Sequence, residues 1–264
     1  MTVTDSRRHL QAYDEQLRTE AETADAVEVT RLGPLHLATF AGGRGFVTYR
    51  DLDGADAATT TGWVRAALHH FVQRPDVTEV EWKTREHDHA PGLHDALVEN
   101  GFRPDEPEAI MIGDASLLAV DVPLPAGVRL RQVTARADVR AMTALQGLVF
   151  DDPMSEERVD DLLRRLGRRD GLELWVAEVG GQVVSAGRLE PVPGTDFAGI
   201  WGGATLEEWR GQGIYRALTA ARARSALTLG KTLILSESTR YSRPILERSG
   251  LVQVSTTTPY RWRR

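Results

Sequence analysis

The feature that most constrains this chain is a glycine-rich bend between a predicted strand and a predicted helix. Residues 203–218 read Gly-Ala-Thr-Leu-Glu-Glu-Trp-Arg-Gly-Gln-Gly-Ile-Tyr-Arg-Ala-Leu. Gly211 and Gly213 flank one residue directly before the helical pattern, which leaves several backbone N–H groups free to point at one spot. The amides and the dipole of a helix N-terminus attract anions, and Arg210 adds a positive charge. The bend therefore predicts binding of a phosphate or pyrophosphate group.

The composition excludes several classes of protein. The 264 residues are 41% hydrophobic and 27% charged, as in ordinary globular chains. A net charge of −6 argues against nucleic acid as a partner, and the absence of cysteine excludes thiolate catalysis, disulfides and cysteine-ligated metals. The first twenty residues are polar, and no apolar run reaches the length of a membrane span. We therefore expect a cytoplasmic protein with no membrane partner.

The order of predicted elements divides the chain into two parts. A segment at 117–127 contains Pro123, Pro125 and Gly127, and we place a boundary there, giving domains of residues 1–122 and 123–264. The first part is predicted as helix 6–21, an antiparallel meander of strands 27–31, 36–40 and 45–49, helix 63–72, strand 78–84, helix 91–100 and strand 109–113. The second part is predicted as strand 128–133, helices 136–150 and 155–166, strands 172–179, 182–189 and 197–205, helix 214–229, strand 232–236, helix 242–249 and one or two final strands in 251–262.

Two well-known phosphate-binding motifs fit the bend poorly. A P-loop needs a glycine, then four residues, then Gly-Lys-Ser/Thr, but Ser225 stands where the first glycine should be, before Gly230-Lys231-Thr232. That triplet also follows a helix instead of opening one. A dinucleotide fingerprint needs a third glycine where Arg216 stands, and too little chain follows for the remaining parallel units.

The stretch Arg210-Gly211-Gln212-Gly213-Ile214-Tyr215-Arg216-Ala217-Leu218 resembles the acyl-CoA-binding motif of the GNAT acetyltransferases, in which Gln or Arg precedes x-x-Gly-x-Gly/Ala. The resemblance extends over about 128–264, including the element order, a Gly180-Gly181 hairpin turn and a final helix that ends in Ser-Gly-Leu. It implies an α/β fold with a mixed, mostly antiparallel central sheet flanked by helices, present as two tandem domains. A helix ending similar to the final one occurs at 97–102, which reflects either a shared helix stop or a repeat of the fold. The first domain is interpreted as a degenerate relative that lost the motif.

The resemblance also implies the cofactor contacts. In that family the strand before the motif splays from its neighbour, and its backbone holds the pantetheine arm, which maps onto Gly203, Ala204 and Thr205. The pyrophosphate is expected on the amides of Gly211, Gln212, Gly213, Ile214 and Tyr215, with Arg210 beside it. Tyr215 departs from the family by occupying a position that is usually small, so we expect its ring to point away from the phosphates. Arg216, Arg222 and Arg243 are interpreted as exposed helix arginines within possible reach of the 3′-phosphate.

The catalytic groups are less well determined by the sequence. Leu246 stands where many members carry a tyrosine proposed as general acid, and Thr239 stands where many carry an asparagine. Transfer from a thioester to an amine needs a base, and the candidates are Glu237 and Glu190 at strand ends, followed by Asp196. Tyr241 is the candidate acid, and Trp201 is a candidate for the acceptor pocket. The His-containing run 86–89 with nearby His94 lacks zinc spacing and is interpreted as a polar loop, so we expect no metal.

These observations together predict an acetyl-CoA-dependent N-acetyltransferase that acts on a primary amine of a small molecule. The expected co-substrate is acetyl-CoA, and the expected assembly is a monomer or homodimer. Two alternatives stay open: a non-catalytic acyl-CoA-binding sensor, and acetylation of a protein amine.

Overall fold

Helices and strands alternate along the chain close to the predicted pattern. The computed structural model describes residues 3–264; Met1 and Thr2, at the start of the polar N-terminal segment, lie outside the described residues. The helices are α1 (Val3–Gln16), α2 (Ala57–Val72), α3 (Leu93–Glu99), α4 (Ala115–Leu118), α5 (Arg136–Phe150), α6 (Glu156–Gly167), α7 (Ile214–Thr228) and α8 (Arg243–Arg248). The strands are β1 (Glu28–Leu32), β2 (Leu35–Phe40), β3 (Arg44–Thr48), β4 (Glu79–Arg85), β5 (Arg103–Pro104), β6 (Glu108–Asp114), β7 (Arg129–Val133), β8 (Glu173–Val179), β9 (Gln182–Pro191), β10 (Phe197–Thr205), β11 (Leu233–Ser238) and β12 (Val252–Arg263).

The chain forms two compact units that do not follow the chain order strictly. The first unit comprises the chain up to Ile110 together with 238–240 and 253–264, and the second comprises 111–237 and 241–252. Each half of the sequence therefore gives a strand to the unit of the other half: the end of β6 belongs to the second unit and most of β12 to the first. The boundary predicted at residue 122 concerns sequence domains, which this division does not test, and it stays a prediction.

The first unit has the strand order β1-β2-β3-β4-β12, with β5 paired to β12. The predicted antiparallel meander of β1, β2 and β3 is confirmed. Strand β3 then pairs in parallel with β4, and α2 makes the crossover between them. The antiparallel partner of β4 on its other side is β12, from Thr257 opposite Arg85 to Arg263 opposite Glu79. Trp82, Phe71 and Leu97 are buried at the centre of the core.

The second unit has the strand order β6-β11-β10-β9-β8-β7. Strands β7 to β10 are antiparallel neighbours, and β8 and β9 turn at Gly180-Gly181, whose φ angles of 56° and 85° suit a tight hairpin. Strand β10 runs parallel to β11, and α7 makes the crossover. Helices α5 and α6 pack on one face of the sheet around Val139, Met142 and Leu162.

The predicted fold class, α/β with mixed and mostly antiparallel sheets flanked by helices, is confirmed. None of the described helices combines the length and the apolar character that crossing a bilayer requires.

Candidate acyl-CoA site

The bend between β10 and α7 is built on two glycines in the left-handed region. Gly211 has φ 73° and Gly213 has φ 81°, where side chains other than glycine are strained. A Cβ at Gly211 would meet nothing within 4 Å, and one at Gly213 would lie 3.7 Å from the Pro123 carbonyl oxygen. Backbone conformation, and not crowding by neighbouring atoms, therefore requires glycine here.

The first amides of α7 lack acceptors. Gly213 is the N-cap residue and supplies no side chain to the helix, which begins at Ile214. Among the described residues, no backbone acceptor pairs with the N–H groups of 211–216. Arg210 donates from Nε to the Thr205 carbonyl oxygen at 3.1 Å, which fixes its guanidinium beside the bend. The unpaired amides, the helix dipole and the arginine together form a site for an anionic group.

The first unit offers a direct contrast at the corresponding crossover helix. Helix α2 also joins two parallel strands, but its N-cap residue is Asp56, whose carboxylate accepts from the Thr59 N–H at 2.8 Å. Hydrogen bonds from backbone N–H groups, that of Thr59 first, hold the pKa of Asp56 below its usual value. A carboxylate of the protein therefore takes the place that an anionic ligand can take on α7.

Strands β10 and β11 separate after a short paired stretch. They pair only from Phe197 with Leu233 to Gly199 with Leu235, although β10 continues to Thr205 and β11 to Ser238. Among the described residues of these two strands no later pair forms. The edge of β10 that carries Gly203, Ala204 and Thr205 therefore loses its neighbour where the strands diverge, which gives an extended ligand a strand edge to pair with.

A bulge in β10 accompanies the separation. Trp201 pairs with Arg188 and Ala204 pairs with Ala186, so β10 has one more residue than β9 between these pairs. Gly202 lies in the bulge with φ 59°, and its carbonyl oxygen accepts from Gln146 Nε2 of α5 at 2.7 Å. Bulges bend the strand that carries them. Here the bend is held in place by the buried Gln146 side chain.

The ring of Tyr215 packs against Gly203. A Cβ at Gly203 would lie 2.7 Å from Tyr215 Cε2, so the ring occupies the space of the missing side chain. Burial raises the pKa of Tyr215 above its usual value. The unusual aromatic residue of the motif is therefore matched by a glycine on the neighbouring strand.

Arg222 is buried, which corrects its interpretation as an exposed helix arginine. Its Nη1 lies 2.6 Å from the position of a Cβ at Gly187, and it donates to the carbonyl oxygens of Leu218 at 3.3 Å and Arg188 at 3.2 Å. Burial lowers its pKa to about 10. The guanidinium therefore donates to neutral carbonyl oxygens of the protein and is not available to an external phosphate.

The candidate catalytic residues lie in different surroundings. Glu190 accepts from Arg165 Nη2 at 2.8 Å and from Arg188 Nε. Burial raises the pKa of Glu190, but the two guanidinium groups outweigh it and hold the pKa below its usual value. A carboxylate held ionised in this way is a weak base, so these contacts favour Glu237 over Glu190.

Glu237 lies on β11, and Tyr241 lies in the segment between β11 and α8. Glu237 is half-buried near the end of β11, beyond its last pair with β10. Tyr241 precedes α8 and is 74% exposed, whereas Leu246 in α8 is fully buried. Their catalytic roles stay predictions.

The His-containing segment of the first unit is occupied by protein contacts. His87 Nδ1 lies 2.6 Å from Ser255 Oγ, Asp88 pairs with Arg18, and His94 Nδ1 lies 2.7 Å from the Tyr260 hydroxyl. Within residues 3–264 no group of three or more His, Cys, Asp or Glu residues is arranged to hold a metal ion.

Sequence reasoning missed Arg188 and Gln146, which lie beside the bulge, and Arg165, which contacts Glu190. Arg188 and Gln146 lie within about 3 Å of the Cβ position of Gly202. The signal for Arg188 was its place in β9, where a charged residue directly follows the buried run 184–187.

Comparison with known proteins agrees with this geometry. The family model described as "Acetyltransferase (GNAT) family" matches residues 139–250. A search of curated proteins found no match. Solved structures with a similar fold include a GCN5-related N-acetyltransferase from Kribbella flavida, with 17% identity and a TM-score of 0.65 over 97% of this chain and 93% of that one.

Two further structures are similar over most of their length. A GCN5-related N-acetyltransferase from Sphaerobacter thermophilus has 16% identity and a TM-score of 0.61, covering 87% of this chain and 76% of that one. A tandem GNAT protein from the clavulanic acid biosynthesis pathway has 16% identity and a TM-score of 0.61, covering 87% of this chain and 78% of that one. These likenesses extend through the first unit and show its fold. Residues 139–250 of this chain match the model of the GNAT acetyltransferase family, whose members transfer acyl groups from acyl-CoA.

Proposed function

We propose that the second unit is an N-acetyltransferase that moves an acetyl group from acetyl-CoA to a primary amine of a small molecule. The observation that carries the proposal is the uncapped glycine bend at the start of α7, next to a strand edge that has lost its neighbour. The amides at the bend bind the pyrophosphate, and the edge of β10 at 203–205 holds the pantetheine arm.

The residues at the opening supply the chemistry. Glu237 takes a proton from the ammonium of the acceptor, directly or through water, so that the neutral amine can attack the thioester carbonyl carbon. A backbone amide near Ala204 donates to the developing oxyanion. As the C–N bond forms, the nitrogen loses a second proton to water, and as the C–S bond breaks, Tyr241 gives a proton to the leaving thiolate.

A non-catalytic acyl-CoA sensor is the competing function. It is favoured by one observation: Leu246, buried and without a hydroxyl group, occupies the family's tyrosine position. Acetylation of a protein amine is the other alternative, and no contact of the described residues favours it.

Thiol release from acetyl-CoA with a panel of small amines, combined with calorimetric CoA binding, separates these functions. We expect tight binding and amine-dependent turnover. Tight binding with no turnover on any amine favours the sensor, and turnover on peptides alone favours a protein acceptor.

The role of Glu237 has its own test. The Glu237→Gln substitution should lower the rate by the largest factor at low pH, because there the acceptor amine is most protonated and most needs a base. A pH–rate profile with the wild-type shape and height removes Glu237 as the base.

A further inference from the structure

One face of strand β9 carries charged side chains into the space beneath α5 and α6. Ala186 belongs to the core that α5 and α6 form, and side chains two residues apart point to the same face of a strand. Arg188 and Glu190 therefore project from this α5/α6 face. Trp201 lies directly opposite Arg188 on β10, at the bulge where the sheet opens.

The guanidinium of Arg188 is held by one hydrogen bond and has further donors without an acceptor among the described residues. Its Nε donates to Glu190 Oε1, while Arg165 places Nη1 at 3.4 Å and Nη2 at 2.8 Å from the same carboxylate. Among the described residues no acceptor pairs with Nη1 or Nη2 of Arg188, and its side chain is 22% exposed. Nη1 lies 3.0 Å from the Cβ position of Gly202. Glu190 therefore holds one edge of the guanidinium and leaves its terminal fork open at the bulge.

The cluster around Arg188 contains a further polar atom that lacks a hydrogen bond within the described residues. The guanidinium groups of Arg165 and Arg188 both contact the carboxylate of Glu190. Gln146, 1% exposed, adds an unpartnered acceptor, because its Oε1 has no hydrogen bond while its Nε2 holds the bulge. The terminal nitrogens of Arg188 can therefore donate to an anionic group of a ligand, and Gln146 Oε1 can accept a hydrogen bond from it.

We propose that Arg188 binds a carboxylate of the acceptor, so that the substrate is a small amine that also carries a carboxylate group. This deepens the proposed function and rests on it. A planar guanidinium with both terminal nitrogens available matches a carboxylate in a bidentate pair. The distance of the bound carboxylate from the reacting amine selects among amino carboxylates by length.

The first experiment compares matched acceptors. Glycine, β-alanine, 4-aminobutyrate and L-lysine are each assayed beside the corresponding carboxamide by thiol release from acetyl-CoA. We expect the best carboxylate to exceed its carboxamide by about 10- to 100-fold in kcat/KM, the range for losing a charged hydrogen-bond partner. The Arg188→Gln variant should remove this preference, and Arg188→Lys should restore part of it by keeping the charge without the fork.

A matched control lies one residue from Arg165 on α6. Arg164 is 60% exposed and pairs with Asp161, so Arg164→Gln should leave the preference unchanged. Equal kcat/KM for carboxylates and carboxamides in the wild type overturns the inference, and so does an equal loss on both in Arg188→Gln. In either case, measurable turnover still supports the acetyltransferase function.

The second experiment does not depend on turnover. The side-chain Nε–H resonance of Arg188, assigned by its loss in Arg188→Lys, is followed in CoA-saturated protein during titration with 4-aminobutyrate or its carboxamide. We expect a saturable shift with the carboxylate at least 10-fold tighter than with the carboxamide. A resonance that responds equally to both overturns the inference. Failure of CoA to bind would instead contradict the proposed acetyltransferase function.

Discussion

The contact between Gly203 and Tyr215 makes a quantitative prediction. Gly203 has no positive φ, so an alanine there meets no backbone strain, but its Cβ would lie 2.7 Å from Tyr215 Cε2. Overpacking of this kind costs about 1–3 kcal/mol of unfolding free energy. Removing the ring in Tyr215→Ala costs roughly 2–4 kcal/mol, less than a fully buried aromatic residue because Tyr215 keeps some exposure.

The Gly203→Ala/Tyr215→Ala double variant distinguishes loss of this contact from a general loss of stability. With the ring gone, the Gly203→Ala methyl group has space, so its cost should vanish and the cycle should show about 1–3 kcal/mol of coupling. Urea unfolding of the wild type, both single variants and the double variant measures it. Gly167 at the end of α6 is the matched control, because a Cβ there meets nothing within 4 Å and Gly167→Ala should not destabilise. Additive costs within about 0.5 kcal/mol would refute the packing argument.

Three further outcomes are expected. Gly213→Glu should weaken CoA binding by at least about 100-fold in calorimetry, because it forces a side chain to φ 81° and adds an anion, whereas Gly180→Glu in the exposed hairpin turn should bind normally. Burial raises the pKa of Glu190, but its two arginine partners outweigh burial and hold the pKa below 4.5. The stabilisation by Glu190 is therefore complete above pH 4.5 and is lost as pH falls through the lower folded value. The stability gap between wild type and Glu190→Gln should therefore narrow in urea titrations on acidification below about pH 4.5; a gap that widens contradicts it. Burial raises the pKa of Glu22, but Arg85 and a neighbouring lysine outweigh it and bring the pKa to about 2, so Glu22→Gln should cost about 3–5 kcal/mol at neutral pH, and a loss below 1 kcal/mol argues against a buried pair.

Much of the local structure could be predicted because hydrophobic period and turn residues decide it. The predicted helix 136–150 and strand 197–205 match α5 and β10 at both ends, and the Gly180-Gly181 hairpin turn is confirmed. The start of α2 was missed by six residues, since 57–62 is rich in threonine and alanine and shows no apolar stripe. There the determining contact is the Asp56 cap, which acts locally on the first turn.

The candidate site could be predicted only where it depends on backbone conformation. Two glycines and a helix start suffice to place the bend, because φ above zero is a local requirement. The partners of Arg188 and Arg222 could not be predicted, because each depends on strand register and on glycines at Gly187 and Gly202 that make space for a guanidinium. The distances between these guanidinium groups and their acceptors are set by tertiary packing. A single sequence shows no pattern from which that packing can be predicted.

The pairing of β12 with β4 has a consequence for how the protein is made. Thr84 Oγ1 donates to the Thr258 carbonyl oxygen across 174 residues of chain, so the sheet of the first unit cannot close until the second half has been synthesised. Until then the nascent chain exposes an edge of β4, with Trp82 at its centre, and unpaired edges invite association with other chains. Contacts so distant in sequence also slow folding. The first unit is therefore the later of the two to be completed on the ribosome, although it is translated first.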